Sequence, residues 1–92
     1  MMIHRVTIQK PTHGHLPGTR RVATTYEEVA RDVMARISGH GKVYLPPDTP
    51  LGKDYLILDQ DTGKQYRVTG DPADAGGLGH HIEATVELYK GP

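Results

Sequence analysis

The residues of this chain best suited to chemistry are its six histidines. His13 and His15 share one polar stretch, His40 lies in a second, and His80 and His81 are adjacent. Two imidazoles from one loop and a third from elsewhere would approach zinc's need for three or four nitrogen or oxygen ligands. Their spacing matches no ligand pattern, and the chain has no cysteine to complete one. Polar turn histidines, with no metal and no cofactor, are therefore expected. Asp59-x-Asp61 with Gly63 suggests a calcium loop. The sixth and twelfth places of such a loop, which need Gly and Glu, hold Lys64 and Gly70. Gly63-Lys64 lacks a following Ser or Thr, and Leu58 stands where a phosphate loop needs its first glycine. Gly76, Gly77 and Gly79 lack the strand before and helix after that a dinucleotide fingerprint requires. Ser38, the only serine, has no nucleophile-elbow context, and its closeness to His40 is incidental. Glu27-Glu28 and Glu83/Glu87 read as a solvated polar face. Nothing here sets an acid against a base, and an enzyme is not expected.

Charge narrows the partners. Eleven basic and eleven acidic residues cancel, whereas a protein that grips nucleic acid through phosphates needs a basic excess or a basic face. Arg20-Arg21 is the one adjacent basic pair. The N-terminal residues Met1 to Arg5 open no long apolar stretch, so neither a signal peptide nor a membrane span is expected, and the reading is a soluble, non-secreted protein. Ninety-two residues suit one domain. Phe and Trp are absent, so all aromatic filling falls to five tyrosines. Each brings a hydroxyl that needs water or a partner, which predicts a thin core with tyrosines at its rim.

Alternation dominates the elements that would position these groups. In His4–Lys10, Val6 and Ile8 face one way and Arg5, Thr7 and Gln9 the other, as in a half-buried strand. Lys10–Thr19, with two Pro, two Gly and two His, reads as an exposed loop. Val43 and Leu45 open a strand that Pro46-Pro47 must end. Asp48–Lys53 is a turn. Tyr55–Leu58 and Tyr66–Thr69 flank a hairpin connection in which Gly63 is free to take positive φ. Gly70–Gly79 is a glycine-rich connector. Along His81–Tyr89, Ile82, Ala84, Val86 and Leu88 share one face, the pattern of a sheet with one wet side. Thr24–Ser38 reads two ways. Tyr26, Val29, Ala30, Val33, Met34 and Ile37 fall on one helical face, with a capping-box pattern at Thr25/Glu28 and Gly39 as a stop. Alternatively Val33, Ala35 and Ile37 alternate along a bent strand. Local pattern alone favours the helix.

Taken in order, HRVTIQKP, TYEEVARDVMARIS, GKVYLPPDTP, YLILDQDTGKQYRVTGDP and the closing strand resemble the head–tail joining proteins (head-closure, or stopper, proteins) of tailed bacteriophages. The resemblance spans nearly the whole chain and rests on the ordered set, no single motif being specific. It implies a mainly β fold, a small β-barrel of about five to seven strands, with Thr24–Ile37 a bent strand in place of the helix. It also implies a structural virion protein at the neck, assembled in the host cytoplasm as a homo-oligomeric ring of six or twelve copies. Such a ring would meet adaptor and portal proteins above and tail terminator or tail tube proteins below. Packaged double-stranded DNA would pass through without sequence-specific binding, and no membrane is involved.

On that resemblance, channel or docking loops comprise His13, Gly14, His15 and Arg20 in the first segment, Ser38, Gly39, His40 and Gly41 in the second, and Asp48 and Lys53 in the third. Gly63, Gly70, Asp71 and Pro72 would be scaffold turns. One departure bears on function. The family's plugging loop is long in some members, and here its place is taken by Ser38–Lys42 alone. Either the gate lies in Pro11–Arg20 or this subunit joins without plugging. The alternatives are a tail terminator ring protein, a small OB-like nucleic-acid-binding barrel, and a regulatory domain of mixed α/β type with Thr24–Ile37 helical.

Overall fold

The computed structural model describes residues 4–15, 22–74 and 81–90, without the side chains of 13–15, 22–23 and 73–74. Seven strands follow one another: β1 (His4–His15), β2 (Val22–Ser38), β3 (Lys42–Leu45), β4 (Leu56–Asp59), β5 (Gln65–Val68), β6 (Ala73–Asp74) and β7 (Ile82–Tyr89). Among the described residues there is no helix. All pairings are antiparallel, in the order β3-β2-β1-β4-β5-β7, and a further β3–β7 ladder joins the two ends. The result is a closed six-stranded barrel, with β6 added along β7 as a short seventh strand. Closure removes the open edges that a flat sheet would present to other chains.

Period-two patterning builds the inside. Val6 and Ile8 on β1, Ala35 on β2, Val43 and Leu45 on β3, Ile57 on β4, Val68 on β5, and Ala84 and Val86 on β7 form one buried aliphatic cluster. All five tyrosines are half-buried, as expected where each hydroxyl must keep a polar neighbour. The short alternating strands thus supply the core and the tyrosines its boundary.

The helical reading of Thr24–Ser38 is corrected: the segment is strand β2, paired with β1 from His4↔Ala35 to His15↔Val22. The register shifts twice, between Val6 and Ile8 and between Ile8 and Gln9. Each shift places one extra residue on β2, as in a β-bulge. An extra residue breaks a spacing of two into a spacing of three, so Ala30 and Val33 both turn to the core while Ile37 follows two alternations later. Spacings of three and four are also what a helix produces. Two members of the supposed helical face, Val29 and Met34, are 38% and 43% exposed, whereas Ala35, off that face, is fully buried. Tertiary pairing overrode the local preference.

One side chain holds the bulged region. Asp32 takes a left-handed φ of 56°, a conformation that Asp tolerates better than most residues. Gln60, just after β4, receives the Asp32 N–H on Oε1 at 3.0 Å and donates from Nε2 to Asp32 Oδ1 at 2.8 Å. The same Oε1 accepts the hydroxyl of buried Thr7 at 3.2 Å, and the Gln60 N–H donates to Arg5 O at 2.9 Å. Gln60→Ala is expected to destabilise the fold by about 1–2 kcal/mol, because Thr7 and the Asp32 amide lose their acceptor. A change within about 0.5 kcal/mol in urea unfolding would show that water replaces the amide without cost.

Two further expectations are corrected. Pro11–His15 belong to β1 and are not loop, since the strand runs through Pro11↔Tyr26 and Thr12↔Thr25. Beyond the Gln9↔Leu56 pair β1 has only β2 as a strand neighbour, so this part of the hairpin is a two-stranded arm. Proline fits there because an edge strand need not donate. The glycine-rich connector contains β6, with residues 75–80 outside the described set. The Asp59–Lys64 turn forms as expected. Gly63 has φ 75° and donates to Asp59 O at 2.8 Å, and Asp59 Oδ1 accepts the Asp61 N–H at 3.0 Å.

Candidate functional site

Inside a small barrel, alternation decides which residues reach the lumen. On β1 they are His4, Val6 and Ile8; on β4, Ile57 and Asp59; on β5, Tyr66 and Val68; on β7, Ile82, Ala84, Val86 and Leu88. β2 and β3 add Ala30, Val33, Ala35, Ile37, Val43 and Leu45. Only His4, Asp59 and Tyr66 in this set are polar. All three, with Ile37, line one cavity of about 250 Å³ at an end of the barrel, completed by Ser38, Gly39, Thr62 and Lys64. Barrel mouths are a common place for ligand sites.

The chemistry of this mouth is specific. Asp59 is 3% exposed. One carboxylate oxygen accepts the Asp61 N–H at 3.0 Å, and no other donor reaches the carboxylate among the described hydrogen bonds. His4 Nδ1 accepts the Ile37 N–H at 3.4 Å, which leaves the neutral ring's proton on Nε2. Leu88 stands across the β5–β7 ladder from Tyr66 and is 52% exposed. It faces inward by alternation, as the sequence indicated, but its position at the end of the row leaves half of it open. The arrangement can seat a small polar or cationic group against Asp59 with apolar contact on Ile37 and Tyr66. Among the described hydrogen bonds none joins Ser38 or Thr62 to His4 or Asp59.

The expected docking residues are dispersed. Ser38 and Gly39 line the mouth, and His40 and Gly41 complete the same turn, where the His40 N–H donates to Ser38 Oγ at 3.1 Å. Gly41 has φ 79°, its carbonyl accepts the Val86 N–H at 2.8 Å, and a Cβ there would lie 3.2 Å from Val86 O. Asp48 lines a separate groove of about 380 Å³ formed by Ala30–Met34 and the segment after β3. Lys53 is exposed in a turn before β4. His13, Gly14 and His15 end the β1 arm, with their side chains outside the described residues, as is the whole of Arg20. Gly70, Asp71 and Pro72 connect β5 to β6. The mouth's own His4, Asp59 and Tyr66 were missed as a group. The available signal was an acid at an inward position of LILD, two residues after Ile57.

Histidine gives no metal centre among the described residues, where no group of three or more His, Cys, Asp or Glu is placed to hold an ion. His81 stands edge-on to Tyr44, with centroids 5.8 Å apart. On the outer face, Lys42 pairs with Glu83 and Arg67 with Glu87. The Glu83 carboxylate, through its hydrogen bond and its charge, raises the Lys42 ammonium above its ordinary value. Exposed pairs of this kind contribute little to stability.

Tyr26 joins the base of the arm to strands that β2 does not pair with. Its ring meets Tyr89 of β7 edge-on at 6.3 Å, and Arg67 and Asp54 lie near enough to act on its ionisation. Burial raises the phenol above its ordinary value, and the hydrogen bond and charge of Tyr89 act the same way, against a lowering pull from Arg67. The folded state therefore holds this proton more tightly than the unfolded chain. The associated stability is complete below about pH 10 and is lost as pH rises through the raised folded value. Tyr26→Phe is accordingly expected to lose less stability than the natural chain as pH rises above about 10 in chemical unfolding. Parallel declines of the two proteins would contradict this.

No protein-family model, no curated protein and no solved structure matches the chain.

Proposed function

We propose that this protein is a structural virion component, a head–tail connector subunit that assembles as a ring between the portal–adaptor complex and the tail. The observation that carries this reading is the two-stranded arm on a closed barrel. An isolated two-stranded ribbon is marginal in water, so Lys10–His15 and their β2 partners gain stability by lying against a neighbour. In a ring, each arm has an adjacent copy to lie on. The order of sequence features from HRVTIQKP to the closing strand adds support, as does the neutral charge, since a strongly basic lumen would retain DNA during ejection. The Gly39–Gly41 turn is too short to reach far across a channel, so either the gate lies in Pro11–Arg20 or the subunit joins without plugging.

The test is co-assembly. The purified protein is mixed with the portal–adaptor complex and, separately, with tail tube subunits of the virus that encodes it, and the products are sized and imaged. A ring bound to the portal–adaptor complex is the expected result. Binding to tail tube subunits alone would identify a tail terminator, and binding to neither would remove the virion reading. The mixed α/β alternative has lost its premise, because it required Thr24–Ile37 to be helical.

A further inference from the structure

We infer that the barrel mouth is a receptor for an arginine side chain of a docked partner protein. The inference concerns the mouth alone and holds whichever assembly the partner belongs to. Asp59 carries it. Asp59 as a residue is only 3% exposed, so its carboxylate keeps little water and gains from compensating contacts, of which the Asp61 amide supplies one. Among the described ion pairs none joins Asp59 to Lys64, which stands exposed at the rim. The carboxylate therefore faces a cavity whose lining includes Lys64 but in which no described ion pair satisfies it.

Size and lining select the ligand. At about 250 Å³ the cavity falls below the roughly 300–1,000 Å³ of sites for drug-sized molecules and cofactors. One carboxylate and one imidazole are too few to complete a zinc site. A phosphate or carboxylate would meet the charge of Asp59. An arginine fits each wall. Its methylene stem lies on Ile37, its guanidinium donates to the carboxylate, and the plane of the head can stack on the Tyr66 ring. The hydroxyls of Ser38 and Thr62 stand at the entrance and can accept the remaining N–H groups. Lysine would keep the charge but lose the fork and the stacking.

The test uses the whole isotope-labelled protein and two probes, N-acetyl-arginine amide and the isosteric, uncharged N-acetyl-citrulline amide, followed by amide NMR shifts. The arginine probe is expected to give saturable shifts at Ile37, Ser38, Gly39, Asp59 and Tyr66, with a dissociation constant in the millimolar range. Citrulline should bind at least about tenfold more weakly, as should the arginine probe to Asp59→Asn, which keeps an acceptor for the Asp61 amide. Tyr66→Leu should weaken the arginine probe by about threefold or more through loss of the ring face. Equal binding of the two probes would overturn the inference, as would shifts scattered over the surface or none up to about 50 mM. The comparison of probes on the natural chain decides the matter even if a variant does not fold.

Discussion

Ile57→Ala is expected to lower the unfolding free energy by roughly 2–5 kcal/mol, a large share of the about 5–15 kcal/mol typical of a domain. Ile57 is fully buried, facing Ile8 across the β1–β4 ladder and Tyr66 across the β4–β5 ladder. Its strand is hydrogen-bonded on both sides, so the wall cannot close inward over the space left by the lost carbons. A cavity that cannot collapse sets the cost toward the upper part of that range. Leu88 provides the comparison, since it occupies the same inward row through Tyr66 but is 52% exposed. Leu88→Ala should cost less than about 1 kcal/mol. Urea unfolding followed by circular dichroism measures both, and similar losses for the two variants would show that the inner row is not the core.

Gly41→Val is the second large effect, expected at about 3 kcal/mol or more from backbone strain and crowding together. The residue turns the chain from β2 into β3 at φ 79°, where only glycine is at ease. A Cβ would sit 3.2 Å from the carbonyl oxygen of Val86, a backbone atom that cannot swing away. Val86 is also tied to this turn through its N–H to Gly41 O at 2.8 Å. Moving the turn to relieve the contact would disturb the neighbouring β3–β7 ladder that closes the barrel. Gly39→Val is the control, because nothing lies within 4 Å of a Cβ there and its φ is not in the left-handed region. A loss at Gly41 no greater than that at Gly39 would mean that closure does not depend on this turn.

The two variants probe different sources of the fold, and the sources were not equally visible in the residues. Alternation alone marked Val6 and Ile8, Val43 and Leu45, and Ala84 and Val86 as inward, and all six are buried. Pro46 ended β3 and Gly63 turned the hairpin because the first lacks a donor and the second tolerates positive φ. Those are properties of single residues and near neighbours, and they survive in any fold. Thr24–Ser38 was different. Its two inserted residues converted a strand's spacing into a helix's, and only the pairing of Val33, Ala30 and Glu28 with the distant Val6, Ile8 and Gln9 of β1 identified them as bulges. Pro11–His15 likewise read as loop because proline and glycine punctuate isolated segments, whereas an arm's free edge accepts them.

The candidate site shows the same division. The expectation centred on loops and histidines, which in the fold are scattered between a barrel mouth, a side groove and the tip of the arm. The mouth brings together His4, Ile37, Asp59 and Tyr66 from four different strands, and no motif joins residues so far apart. From its sequence alone, then, the chain determined a set of short strands, their inward faces, their turns and a neutral surface, because each follows from side-chain chemistry at a spacing of two. Tertiary structure alone decided that β3 meets β7 to close the sheet, that β2 is a bulged strand, and that one buried carboxylate faces a cavity. Those outcomes depend on which distant strands share hydrogen bonds, and that choice minimises a free energy summed over the whole barrel.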